Sequence, residues 1–140
     1  MATLAACAAH QSRAVCRTDC RVNIDLPGNT AKAPTTSARK MNVAGGGSLE
    51  FKLSGEGPPE RWATTLRFRR PGESPDAGTP FLNRAGKPLY EIVLKSGRNR
   101  LALRPYKDGV CHPPHGCKYD IINTGNPDRP TRDPWIIIHR

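Results

Sequence analysis

The chain has 140 residues, with 22 Lys and Arg against 12 Asp and Glu, a formal charge of +10. That length is enough for one domain with a real core and excludes any need for a metal staple to fold. No run approaches the roughly 18 apolar residues of a membrane-spanning helix, and 14 Pro and 13 Gly spread along the chain exclude a long helical stripe.

Short alternating runs separated by turns take the place of helices. Val22, Ile24 and Leu26 fall on one face. Met41 lies in an early strand, where it reads as core, and Gly45-Gly46-Gly47-Ser48 reads as a turn. Leu49, Phe51 and Leu53 then share a face, with Glu50 and Lys52 turned the other way. Trp62, Thr64, Leu66 and Phe68 oppose Arg67 and Arg69, the pattern of a half-buried strand. Tyr90, Ile92 and Leu94 alternate with Glu91 and Lys95, and Leu101 and Leu103 with Arg100 and Arg104. Tyr119 and Ile121 follow. Trp135-Ile136-Ile137-Ile138 is apolar on both faces, as a central strand would be. Residues 27–39 and 70–80, rich in Pro and small residues, read as surface loops. The expectation is an all-β, Greek-key antiparallel β-sandwich of about 7–9 strands over residues 20–140, with residues 1–19 as a leader remnant and tether.

Of the five cysteines, the first lies in Leu4-Ala5-Ala6-Cys7, which resembles the lipidation box of bacterial lipoproteins: an aliphatic residue, two small residues, then Cys. The resemblance implies lipid on the sulfur of Cys7, export, and a membrane attachment made by lipid alone. In such lipoproteins Asp after the lipidated Cys marks inner-membrane retention. Ala8 stands there instead, which implies an outer-membrane lipoprotein on the periplasmic side.

Assigning Cys7 to lipid leaves Cys16, Cys20, Cys111 and Cys117, an even set expected to form disulfides. Four cysteines allow three pairings, two local loops or either of two crossings. A crossing that closes a loop of about 100 residues would stabilise by roughly 4–5 kcal/mol. Spacing does not choose between them, although Cys111-His112-Pro113-Pro114-His115-Gly116-Cys117 already holds the turn residues that bring its ends together.

The strand from Gly116, the polar turn after it and Asp133-Pro134-Trp135-Ile136-Ile137-Ile138 look like the closing hairpin of small cupredoxin-like sandwiches. Gly45-Gly46-Gly47-Ser48 before Leu49-Glu50-Phe51 is similar to the turn opening an early strand there. That family's copper site takes one His from an early strand and a late Cys, His and Met cluster. Here the early His is missing and no Met follows Cys111, His112, His115 and Cys117. Copper or zinc on His112, His115 and a free Cys111 or Cys117 thiolate is an alternative, and a zinc site on the other four cysteines in a cytosolic nucleic-acid-binding protein is a third. The preferred reading has no cofactor.

Cationic residues cluster at Arg67, Arg69 and Arg70, and at Arg98, Arg100 and Arg104. If their strands pair, the outward faces form one basic patch suited to an anionic envelope component. Nucleic acid is less favoured, because only eight aromatics are present for base stacking. Glu50, Glu91, Asp120 and Asp133 read as partners for these arginines. No catalytic fingerprint is present, and the chain is expected to be a non-catalytic binding or structural module.

Overall fold

The computed structural model describes residues 14–28, 32–124 and 127–140. Cys7 lies outside them. Ten strands are present: β1 (Cys20–Leu26), β2 (Thr35–Thr36), β3 (Lys40–Ala44), β4 (Ser48–Gly55), β5 (Ala63–Phe68), β6 (Phe81–Leu82), β7 (Glu91–Lys95), β8 (Arg98–Leu103), β9 (Cys117–Asn123) and β10 (Thr131–His139). Two single-turn 3-10 helices, Pro59–Arg61 and Tyr106–Asp108, are the only helical segments among the described residues. The fold is an all-β sandwich. The count exceeds the expected nine because β2 and β6, two residues each, are too short to leave a pattern of alternation.

The strands form two five-stranded sheets, ordered β2-β1-β4-β8-β6 and β3-β10-β9-β5-β7. Neither is wholly antiparallel, which corrects the expected pairing. β1 runs parallel to β4 from Cys20↔Leu49 to Leu26↔Gly55, and β3 parallel to β10 from Lys40↔Trp135 to Ala44↔His139. The reason is the chain between β2 and β3, which leaves one sheet at Thr36 and enters the other at Lys40. Its two ends border different sheets, so each sheet acquires one parallel neighbour.

Period-two patterning places the core. β1 is buried at every odd position of its seven, and Leu49, Phe51, Leu66, Ile121, Ile136 and Ile138 are wholly inaccessible. Phe51 and Phe81 from the first sheet meet Phe68 and Tyr119 from the second. Phe68 stands edge-on to Phe81 at 5.6 Å and stacks on Tyr119 at 4.9 Å, contacts that add to the simple burial of the rings. β10 lies between β3 and β9, the central place its apolar run implied.

Both disulfides are local. Cys16 bonds Cys20 with Cα atoms 5.8 Å apart, and Cys111 bonds Cys117 at 4.8 Å. In each, the second cysteine is the first residue of a strand, Cys20 of β1 and Cys117 of β9. In each, the first cysteine is bonded to the second sheet's far strands: Cys16 N–H donates to Asn42 O at 2.8 Å, and Cys111 O accepts from Ile138 N–H at 2.8 Å. The first bridge thus ties the edge beside β3 to β1 across the sandwich. The domain therefore begins no later than Cys16, inside the segment expected to be tether.

Candidate anion-binding surface

The arginines singled out in the sequence do not make one patch. β5, which carries Arg67 and leads into Arg69 and Arg70, pairs with β7 and β9; β8, which carries Arg98 and Arg100, pairs with β4 and β6. The two groups therefore lie on different sheets, a pairing that spacing could not foresee.

Each group is also largely compensated. On the outer face of the second sheet the register aligns Glu91, Arg67, Asp120 and Arg132 across β7, β5, β9 and β10. Signs alternate along that row. Arg67 Nε is 3.4 Å from Glu91, and Arg69 Nη2 is 2.5 Å from Asp133 and 3.8 Å from Asp120. Asp133 sits where β10 is bulged, with φ +63, which turns its carboxylate toward Arg69. Arg67, Arg69, Glu91, Asp120 and Arg132, with Arg70 laid over Tyr90 at 4.7 Å, line a groove of about 320 Å³.

The first sheet repeats the device on its outer face. Arg21, Glu50 and Arg100 align across β1, β4 and β8, and Glu50 is 3.0 Å from Arg21 and 3.7 Å from Arg98. Arg104 pairs with Asp108 at 3.2 Å. The carboxylates thus stand as partners of the arginines, as the alternation implied.

A further group of cations lies around Trp135. Lys40 and Lys118 stand in register on either side of Trp135, across the parallel β3–β10 and antiparallel β10–β9 pairs. Their Nζ atoms are 5.3 and 5.4 Å from the indole centroid, within cation–π range. Met41, Val43, Ile136 and Ile138 point into the core, so Lys40 and Trp135 occupy the opposite, outer face. Arg39, just ahead of β3, reaches back to donate to Arg132 O at 3.0 Å, and Arg17 donates to Arg140 O at 3.1 Å.

Arg17, Arg39, Lys40, Arg132 and Arg140 are all exposed. None has a carboxylate partner among the described residues; only Lys118 does, Asp76 at 3.4 Å. His139 reports the resulting potential, since its proton affinity is lowered by partial burial and then by the charges of Arg17 and Lys40. Its Nε2 lies 2.8 Å from Asn42 Oδ1.

The 111–117 loop folds over the same sheet farther along β10. Gly116 holds φ +65 there, and a Cβ on it would stand 2.6 Å from Ile137 Cγ1, so the loop covers Ile137 at van der Waals contact. His112 stacks on Tyr106 at 3.9 Å with Nε2 2.6 Å from the Tyr106 carbonyl. His115 points to Asp76 at 4.0 Å. Because Cys111 and Cys117 are bonded to each other, neither presents the thiolate that a metal on this loop requires. Nor do the four cysteines meet, because β3 and β10 lie between Cys16 and Cys111. Among the described residues no group of three His, Cys, Asp or Glu side chains could hold a metal ion.

No protein-family model matches the chain, and neither a curated protein nor a solved structure matches it.

Proposed function

We propose that the protein is a non-catalytic module of the bacterial cell envelope, exported, held to the outer membrane on its periplasmic side by lipid on Cys7, and binding an anionic envelope component. A cupredoxin-like sandwich stripped of copper ligands serves as a rigid scaffold in this reading. The observation that carries the binding role is the cluster of cations around Trp135, of which Arg39, Lys40 and Arg132 are exposed and without a carboxylate partner among the described residues, while Lys118 is paired with Asp76. Such a surface attracts anions by counterion release, whatever their detailed structure. Two disulfides support the oxidising compartment, and the lipoprotein-like Leu4-Ala5-Ala6-Cys7 supports the anchor.

The test has two arms. Intact mass of protein recovered from bacterial membranes is expected to show acylation at Cys7, abolished in Cys7→Ser. Soluble full-length chain is expected to bind immobilised anionic envelope material at about 50 mM salt and to release it by about 200 mM. Binding that ignores salt would contradict the electrostatic role.

A further inference from the structure

The Trp135 strip and the point where the chain enters the domain are on the same side. Cys16 lies beside β3 and parallel to it, donating to Asn42 O and accepting from Ala44 N–H. Read backward from Cys16 to Ala14, the chain therefore runs toward the β3 start, where Arg39 and Lys40 lie. The segment bearing Cys7 joins the domain at the cationic strip, and Arg17 belongs to both.

The strip is a sheet face, with Lys40, Trp135 and Lys118 on three successive strands. Two strand spacings set the lysines about 9–10 Å apart. An extended anionic surface can neutralise such cations together. Val93, the one exposed large hydrophobic among the described residues, is on β7 at the far edge of this sheet, so the strip offers charge and no apolar wedge for insertion.

We infer that the Trp135 strip is the face this domain turns to the membrane, and that its occupant is the anionic phospholipid headgroup layer of the bilayer holding the anchor. This rests on the proposed function and names the partner for it. A lipid anchor on a tether sets proximity without orientation, and a cationic surface beside it supplies an oriented contact with the headgroups. Lipid on Cys7 holds the chain near the bilayer. Arg17, Arg39, Lys40, Lys118 and Arg132 then orient the domain on it, with the 111–117 loop beside the strip on the same sheet and the first sheet's outer face turned away.

The experiment uses the unlipidated full-length chain, so that the strip alone is measured. It is titrated with vesicles of phosphatidylcholine, of phosphatidylcholine with one-third phosphatidylglycerol, and with polygalacturonate as a soluble acidic polymer. Two triple variants remove equal charge: Arg39→Gln, Lys40→Gln and Lys118→Gln on the strip, and Lys52→Gln, Arg84→Gln and Lys87→Gln elsewhere, the latter all exposed. The expected result is binding to the phosphatidylglycerol vesicles only, weakened tenfold or more by the strip variant and less than about threefold by the other, since a cation counts only near the headgroups.

Equal weakening by both variants would overturn the oriented strip while leaving anion binding in place. Binding to polygalacturonate without binding to vesicles would overturn the membrane as occupant and leave the anionic envelope partner standing. Binding to neither would overturn the proposed function and this inference together. Circular dichroism of both variants separates loss of binding from loss of fold.

Discussion

Glu50 accepts from Arg21 Nε at 3.0 Å across the parallel β1–β4 pair, and its side chain is only 11% exposed. Arg98 approaches the other carboxylate oxygen at 3.7 Å, and Arg100 is its register partner on β8. One buried carboxylate thus stands among three guanidinium groups. Opposite charges facing each other on one sheet face stabilise, and like charges destabilise.

Removing that carboxylate is expected to be costly. Glu50→Gln should lower stability by about 1–1.5 kcal/mol, because Arg21 and Arg98, 40% and 65% exposed, lose the buried carboxylate between them. Glu91→Gln removes an ion pair whose two side chains are 58% and 62% exposed, and should cost no more than about 0.5 kcal/mol. Urea denaturation of the two variants checks the contrast.

The disulfides are expected to stabilise modestly and independently. Sequence separations of 4 and 6 correspond to about 2 kcal/mol each in the chain-entropy account. Cys16→Ala with Cys20→Ala, and Cys111→Ala with Cys117→Ala, should each shift the urea midpoint accordingly without abolishing folding. A thiol count on denatured, unreduced protein should find these four cysteines blocked.

Tyr119 is wholly buried, and its hydroxyl has no hydrogen-bond partner among the described residues. An unmade hydrogen bond is a standing cost, so Tyr119→Phe should be neutral or stabilise by up to about 1 kcal/mol. Burial pushes the phenol above its ordinary value of 10, against a smaller lowering by Arg39. The folded protein then resists ionisation that the unfolded chain accepts. Stability from this group is complete below about pH 10 and is lost as pH rises beyond it; the alkaline limb of a denaturation series should flatten in Tyr119→Phe.

His139 gives an opposite pH signature. Its proton affinity is lowered from the ordinary 6.5, first by burial and then by Arg17 and Lys40. The unfolded chain takes up the proton first, so stability falls as pH drops through 6.5 toward the folded value. In Lys40→Gln the imidazole midpoint should move upward, read by NMR titration of the ring protons.

Much of the fold was legible because it is local. Leu49, Phe51 and Leu53 alternate over consecutive residues, and burial follows them. The loop over residues 70–80 and the Cys111–Cys117 closure were also visible in turn chemistry, whereas the stretch expected as a loop over 27–39 holds β2, paired with β1. The Trp135 strip was not, because it depends on which strands become neighbours. Lys40 and Lys118 are far apart in sequence and belong to no charge cluster; only the parallel docking of β3 on β10 sets them beside Trp135. The conspicuous arginine runs misled for the same reason, since the carboxylates that neutralise Arg67 and Arg98 arrive from other strands. The one available hint was Trp135, the aromatic that opens the apolar run of β10.

The most direct measurement compares salt dependences of binding to anionic vesicles for Lys40→Gln with Lys118→Gln and for Arg67→Gln with Arg98→Gln. The first pair should reduce the slope of log K against log salt by about two, one counterion per lost cation, and the second pair should leave it nearly unchanged. The reverse order would place binding on the arginine rows and contradict the account.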